Sequence, residues 1–343
     1  MYHTWNVVSS GQEYPLTHNN DVPYVGAVFE ASHAGRWVIT PVRRWLYRGA
    51  SPYQDIAVGV VPYLGRCLFL DGWLQLAEAD EYIYHEHLVL PALMAHPAPR
   101  RILILGGGDG LALREVLLHT RVEHVVMVDL DAQVVEVCKT YCGDMQQGAL
   151  DDPRFHLVIG DAREYLRDTS EHFDVIFVDL VDLMPGTLAL FEDVFSRVRR
   201  VLLPDSLVVV HGPDPGPPLY EGLFMVSIMQ RHFPHVAWYK AFITSFGETW
   251  SFAVGSNTEN IALLPPHTWQ ERSRQLRRPP RSLVPEALPA LMLHPPEEEE
   301  RLRSLSAGAE IASLEDWPAV LLSREAVKVL QQLVLNPHPD NVE

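Results

Sequence analysis

A doubly wound α/β sheet preceded by a small β domain is the fold class this sequence predicts, on three observations. Short, wholly apolar runs alternate with helix-spaced segments from about residue 81 to residue 257. The first of those runs, Arg101-Ile-Leu-Ile-Leu105, opens directly into Gly106-Gly-Gly-Asp-Gly110. Before residue 81 the texture is that of hairpins. Strands buried on both faces read as continuous apolar runs, and their alternation with helices implies right-handed βαβ units.

The elements follow in order. Residues 1–40 read as irregular, with Pro, Gly and Asn among aromatics. Asp55-Ile-Ala-Val-Gly-Val-Val61 and Arg66-Cys-Leu-Phe-Leu70 read as strands, broken at Pro62 to Gly65 and ended by Asp71-Gly72. Helical spacing runs from Tyr82 to Met94, and Arg101 to Leu105 is the first buried strand. A helix over Leu111 to His119, a strand at Val125 to Val128 and a helix over Ala132 to Cys142 come next. Phe155 to Ile159 and Phe173 to Val178 are the third and fourth strands. A helix around Leu188 to Val201 leads to a fifth at Leu207 to Val210, and Phe252 to Gly255 closes the sheet. The division expected is residues 1–80, 81–257 and 258–343. In the last part, Arg277-Arg-Pro-Pro-Arg281 and Glu297 to Glu300 read as solvated connectors, and Ser323 to Leu335 as a final helix.

Composition removes several function classes. The chain has 343 residues, 47% hydrophobic, with a formal net charge of −17, enough apolar content for a full core. Nucleic acid held by bulk charge needs a basic footprint, which an acidic chain lacks. Three cysteines, Cys67, Cys138 and Cys142, cannot build a disulfide framework and point to a reducing compartment. The start, Met-Tyr-His-Thr-Trp, lacks the basic opening and apolar run of a signal peptide. No apolar run reaches the roughly 18 residues of a membrane span. A cytoplasmic globular protein, without nucleic-acid or membrane partners, is the expectation. Cys138 and Cys142 lie one helical turn apart but lack two further ligands at suitable spacing, so core packing is expected there and no metal.

The glycine loop sits where a doubly wound sheet opens its ligand crevice. Gly106 and Gly108 let backbone approach a ligand closely. Asp129, at the end of the second strand about 20 residues on, is placed to accept hydrogen bonds from a ribose diol. Asp161 and Ala162, after the third strand, lie where an adenine would. Together they describe an adenosyl ligand, a pattern shared by nicotinamide dehydrogenases and S-adenosylmethionine enzymes. Asp109 inside the loop would repel a pyrophosphate, which disfavours the dinucleotide. Asp179 and Asp182 after the fourth strand add two carboxylates to the same rim, suiting a ligand that carries amines and a sulfonium.

Ser51-Pro-Tyr-Gln54, Leu70-Asp-Gly72 with Gln75, Asp80-Glu-Tyr-Ile-Tyr-His-Glu86, His96-Pro97, Gly106 to Gly110 and Asp179-x-x-Asp182 together resemble the polyamine aminopropyltransferases, the spermidine and spermine synthases. The resemblance runs from about residue 45 to residue 256. Thr244-Ser-Phe-Gly-Glu-Thr-Trp250 is similar to the thermospermine synthases, which carry a comparable segment. The family's usual Asp-Ser-Ser/Thr-Asp is here Asp179-Leu-Val-Asp182, followed by Leu183-Met-Pro-Gly186 in place of Pro-Val/Ile-Gly-Pro.

The resemblance implies a Rossmann-like sheet of the S-adenosylmethionine methyltransferase type and a homodimer with no prosthetic group. It also implies roles. Gln54, Gln75, Gly106, Gly108, Asp129, Asp161 and Ala162 would hold the thioadenosine of decarboxylated S-adenosylmethionine, the co-substrate released as 5'-methylthioadenosine. Asp109 would meet the ammonium of its aminopropyl arm. Tyr84, His85, Asp182 and Phe246 would line the amine channel, with Asp179 as proton acceptor. Putrescine, agmatine and spermidine all remain open as acceptors.

These residue types suit that chemistry in their own right. An alkylammonium with a pKa near 10 cannot attack, and exposing its neutral form at pH 7 costs about 4 kcal/mol. A carboxylate within reach can orient the amine and take its proton. Trp73 and Trp250 are candidates to wall the channel by cation–π contact. Two alternatives are a methyltransferase on the same fold and a non-catalytic polyamine-binding relative. Asp109 argues against the first, because ordinary S-adenosylmethionine would bring a carboxylate beside it. The intact aspartates argue against the second.

Overall fold

The computed structural model describes residues 25–31, 37–182, 187–214, 216 and 221–306. The helix expected over Ser323 to Leu335 and the Leu183–Gly186 segment lie outside the described residues.

Two small antiparallel sheets come first. One pairs β1 (Gly26–Ala31) with β2 (Trp37–Val42). The other orders β3 (Arg44–Ala50), β4 (Asp55–Val61), β5 (Gly65–Leu70) and β6 (Trp73–Ala77) as a meander. The β1–β2 pairing corrects the irregular reading where it covers residues 26–31 and 37–40; residues 1–24 and 32–36 lie outside the described residues. Its strands are short, and polar Glu30 and Thr40 are buried in them beside Val28 and Val42, so their sequence lacks the continuous apolar run of a buried strand. At β4–β5 the expected hairpin turns through Tyr63, at φ 64°, and Gly65.

The large unit begins with α1 (Glu81–Ala95), which is buried nearly all round, as its uniformly apolar second half requires. There follow β7 (Arg101–Gly106), α2 (Leu111–Val116), β8 (His124–Asp129), α3 (Ala132–Gln146), β9 (Phe155–Ile159) and α4 (Ala162–Asp168). Then come β10 (Phe173–Asp179), α5 (Leu188–Val198), β11 (Leu202–Pro213), α6 (Glu221–His232), β12 (His235–Ile243) and β13 (Glu248–Ser256). They build one seven-stranded sheet in the order β12-β13-β11-β10-β7-β8-β9. Five strands are parallel, and β13 runs antiparallel between β11 and β12. The Rossmann-like reading holds, with α4, α6 and β12 added to the elements expected.

Alternate residues of each central strand face opposite layers. Ile102, Ile104, Val175 and Phe177 pack toward α1, α2 and the C-terminal residues Trp269 and Leu288. Leu103, Leu105, Ile176 and Val178 pack toward α4, α5 and α6. Cys138 and Cys142 sit fully buried where α3 meets the four-stranded sheet, as the core reading expects. Strand order reverses between β7 and β10, the position at which open α/β sheets form their ligand crevice.

The C-terminal part corrects the expectation of solvated connectors. α7 (Pro266–Ser273), α8 (Leu288–Leu291) and α9 (Pro296–Ser306) are short, but they dock. Arg278 forks onto Glu86 and Glu115, two wholly buried carboxylates. Glu298 takes Lys240, while Leu302 and Leu305 of α9 enter the core beside α6. Charges that look solvated in a Pro- and Arg-rich stretch serve here as partners for buried groups far away in sequence.

Candidate active site

At the crevice, β7 and β10 end in register, with Asp179 opposite Gly106. Gly106 has φ 84°, and a side chain on it would put Cβ 1.9 Å from the Asp179 carbonyl oxygen. Only glycine permits that approach. At Gly108 an added Cβ would lie 2.6 Å from Asp129 Oδ2, so bare backbone rests against the carboxylate that ends β8. Asp109 caps the entry to α2 by accepting from Leu111 N at 2.8 Å, and Gln146 Nε2 donates to its carbonyl oxygen.

Asp129 accepts from Asp131 N at 2.8 Å. Its pKa is raised to about 6, first by burial and then by the charges of Asp109 and Asp131, against backbone donors that pull it down. A ligand diol donating to it would favour the ionised form. Gln54 reaches the same corner from the small domain and donates to Asp131 Oδ2 at 3.0 Å, beside Ser51 Oγ at 2.6 Å.

Asp161 caps α4 through Arg163 N, and Arg163 holds its carboxylate below the usual range. Its oxygens are therefore already engaged, and Ala162 is buried at the first turn. Gln75 is exposed on β6, where its amide bonds back to Trp73 O at 3.3 Å. No hydrogen bond or ion pair joins Gln75 to Gln54, Asp109, Asp129, Asp161 or Asp179 among the described residues.

The other candidates converge. Tyr84, in the first turns of α1, donates to Asp179 Oδ1 at 2.8 Å. Asp179 is raised to about 6 by burial and by the charge of Asp109, with His85 and Tyr84 pulling the other way. His85, one residue on, is 3.7 Å from Asp109 Oδ2 through Nε2 and 3.1 Å from Glu81 Oε2 through Nδ1. Burial opposes its charge, but Asp109 and Glu81 outweigh burial and hold it at about 10. It is an imidazolium at neutral pH.

The turn between β12 and β13 delivers Phe246, whose ring lies 6.3 Å from Tyr84 and 4.9 Å from Trp250. Ser245 N donates to Asp80 Oδ2 at 2.7 Å and ties this turn to the start of α1. Trp250 pairs with Pro213 at the C-terminal end of β11, which brings the segment to the same rim. Asp182 lies just beyond β10, partly exposed, and its carbonyl accepts from Thr187 Oγ1.

One site residue escaped the sequence reading. His211, on β11, is buried with Nε2 3.4 Å from Asp179 Oδ1. Trp250 Nε1 donates to its Nδ1 at 3.1 Å. An indole can only donate, so Nδ1 is the bare nitrogen and Nε2 carries the proton, with the Leu180 backbone as its partner and Asp179 Oδ1 close by. Burial keeps the ring below its ordinary pKa and so neutral. The available signal was its place: a histidine ending the run Leu207 to Val210, on the edge that carries the aspartates.

Comparison with known proteins bears on this geometry. Residues 81–264 match the spermine/spermidine synthase domain, and residues 27–78 match the spermidine synthase tetramerisation domain. Polyamine aminopropyltransferase 1 of Hyperthermus butylicus is 40% identical over 245 residues, 69% of this chain and 82% of that protein. Polyamine aminopropyltransferase 1 of Aquifex aeolicus is 42% identical over 221 residues, 63% of this chain and 77% of its own. Among solved structures, spermidine synthase from Thermotoga maritima superimposes with a TM-score of 0.72 at 28% identity, covering 81% of this chain and 94% of that one. A spermidine synthase in complex with the transition state analogue AdoDATO gives 0.74 at the same identity and the same coverage. With the glycine loop, the paired strand ends and the buried aspartate in place, the chain belongs to the spermine/spermidine synthase family, the polyamine aminopropyltransferases.

Proposed function

We propose that this aminopropyltransferase uses Asp179 to take the proton from a polyamine as it accepts the aminopropyl group of decarboxylated S-adenosylmethionine. The observation that carries the reading is Asp179 itself: buried, raised to about 6, and oriented by Tyr84 beside His211. Tyr84 engages Oδ1 with His211 3.4 Å from the same oxygen, while Oδ2 faces Gly107 in the loop.

The residues fit the donor. Bare backbone at Gly108 beside Asp129 offers a surface for the ribose, and Gln54 with Asp131 closes that corner. Asp161 and Ala162 would flank the adenine, Arg163 swinging aside to release the carboxylate. Gln75 is kept as a thioadenosine contact on the resemblance alone. Asp109 would receive the ammonium of the aminopropyl arm, its Oδ2 turned to the crevice-facing nitrogen of His85.

Tyr84, His85, Asp182 and Phe246 would line the acceptor channel, with Trp250 behind Phe246. Asp179 accepts a proton from the acceptor ammonium, and the freed nitrogen lone pair forms the new C–N bond. The C–S bond breaks with its electron pair moving to sulfur, which leaves neutral 5'-methylthioadenosine. Raising Asp179 to about 6 narrows the gap to an amine near 10 and makes it a better base than an exposed aspartate. Alignment of two cationic partners against fixed carboxylates supplies the rest of the rate.

The acceptor class follows from the Phe246 wall, which lacks a hydroxyl to fix a short diamine; our reading admits spermidine beside putrescine. We also assign residues 1–80, 81–257 and 258–343 as three parts, supported by sheets that end at Ala77 and Ser256. An oligomer is supported by the match of residues 27–78 to a tetramerisation domain. Our reading is a homodimer, which light scattering separates from a tetramer. A cytoplasmic location is supported by three free, buried cysteines. Among the described residues, no helix is long and apolar enough to cross a membrane.

Mass spectrometry of products from a panel of amines tests the function. Aminopropylated product from the decarboxylated donor is expected. Methylated amine from ordinary S-adenosylmethionine would replace this reading with the methyltransferase.

A further inference from the structure

Seven ionisable side chains of alternating sign run from the crevice to the far side of α1. Asp109 faces His85 at 3.7 Å, and His85 meets Glu81 at 3.1 Å. Glu81 is gripped by both terminal nitrogens of Arg114, at 2.8 and 2.9 Å. Arg114 Nε continues to Glu115 at 2.9 Å. Arg278 then forks, with one nitrogen 2.7 Å from Glu115 and the other 2.9 Å from Glu86. Glu86 also accepts from the backbone of Arg281 and Ser282.

Every member between Asp109 and Arg278 is nearly sealed from water. Side-chain exposure is 0% at Glu86 and Glu115, 2% at His85, 4% at Glu81 and 6% at Arg114. Arg278, at 28%, is where the chain of charges meets solvent. It also comes from the C-terminal part, 163 residues beyond Glu115.

A buried carboxylate stripped of a partner must find another or take a proton. Glu86 has three backbone and hydroxyl donors in reserve. Among the described residues, Glu115 is left with Arg114. Without Arg278, Glu115 would draw Arg114 toward itself, loosening its two-pronged grip on Glu81. Nδ1 of His85 is held by the Glu81 backbone carbonyl at 2.7 Å and by its carboxylate at 3.1 Å, so the ring that faces Asp109 would lose the charged half of its anchor and shift.

We propose that Arg278 is a positioning residue for the aminopropyl transfer site, acting through Glu115, Arg114 and Glu81 to fix His85 against Asp109. The proposal rests on the transferase reading for what His85 and Asp109 meet. The chain of charges stands apart from it. Arg278 touches no reacting atom; it sets the arrangement of groups that do.

The test uses full-length Arg278→Met and Arg278→Lys, with two readouts beside melting temperature. One is steady-state kinetics with decarboxylated donor and spermidine. The other is the nitrogen-15 spectrum of the histidine rings, with His85 assigned by His85→Gln. Arg278→Met should shift the His85 ring signals and raise KM by about threefold to thirtyfold, the range in which such networks couple. Arg278→Lys keeps the charge but not the fork, so smaller changes in the same direction are expected, and it decides the matter should Arg278→Met not fold. A lowered melting temperature with His85 signals and KM unchanged would overturn the proposal and leave Arg278 as a C-terminal fastener. Absence of any transfer by the wild type would sink the transferase reading, while the His85 spectra still decide this one.

Discussion

The Tyr84 hydroxyl donates to Asp179 Oδ1 at 2.8 Å, and the same oxygen faces the protonated Nε2 of neutral His211 at 3.4 Å. One carboxylate oxygen is thus held from α1 and flanked from β11, and the other is left toward the glycine loop. One neutral donor, Tyr84, fixes the geometry with neutral His211 packed beside it, and neither neutralises the charge, as a base that must accept a proton requires.

This arrangement carries a stability cost that can be measured. The folded-state pKa of Asp179, about 6, lies above the 3.8 of an unperturbed aspartate. The folded state therefore binds this proton more tightly than the unfolded one. The group's contribution is fully present below the unfolded pKa and is lost as pH rises through 6. At neutral pH the buried ionised form costs on the order of 3 kcal/mol. Asp179→Asn should melt higher than wild type at pH 7.5, with the difference shrinking at pH 4.5. Equal melting temperatures at pH 7.5 would contradict the burial cost.

Asp109 is the strongest influence raising His85. Asp109→Asn should lower the His85 pKa from about 10, read by imidazole NMR. It should also weaken the decarboxylated donor much more than methylthioadenosine, which lacks the aminopropyl ammonium. Equal loss for both ligands, by calorimetry, would mean that Asp109 only shapes the loop.

His211 accepts from Trp250 and donates to the Leu180 backbone beside Asp179, two roles that a neutral amide can also fill. His211→Gln should keep kcat within about threefold of wild type. His211→Leu strands the buried Trp250 N–H, at about 1–3 kcal/mol of stability. It also removes the polar ring packed beside the base, so kcat should fall by about tenfold or more. Matching kcat for the two variants would remove His211 from the site.

The turn carrying Ser245 and Phe246 decides acceptor length on this account. Kinetics with putrescine and spermidine should give measurable transfer to both, and Phe246→Ala should change their ratio. Strict use of putrescine, untouched by Phe246→Ala, would reject that assignment.

What the sequence discloses follows from how local its signals are. Arg101 to Leu105 and Phe173 to Val178 are legible because strands covered on both faces must be apolar throughout, and Gly106 to Gly110 because a close approach leaves no room for side chains. β1 and β2 bury polar Glu30 and Thr40 beside Val28 and Val42, so nothing in their composition marks them. The Asp179–Tyr84 contact spans 95 residues and His211–Trp250 spans 39. No local pattern encodes either; the resemblance assigned Tyr84 and Asp179 to one channel without their contact and did not include His211. Arg278 looked solvated because its partners lie on helices whose charged residues seemed unremarkable until packed. Asp161 looked free because its engagement with Arg163, two residues on, reads equally well as an exposed pair.

The pH dependence of aminopropyl transfer by wild type and Asp179→Asn, followed as methylthioadenosine release, tests the central role of Asp179 most directly. Below about pH 6 the wild-type base is protonated and above it ionised, so kcat/KM should climb through that region and level off near neutrality. Asp179→Asn should bind donor normally yet turn over about 10²–10⁴-fold more slowly, without that acid limb. Turnover by the variant within a few-fold of wild type, with the same pH profile, would contradict the account.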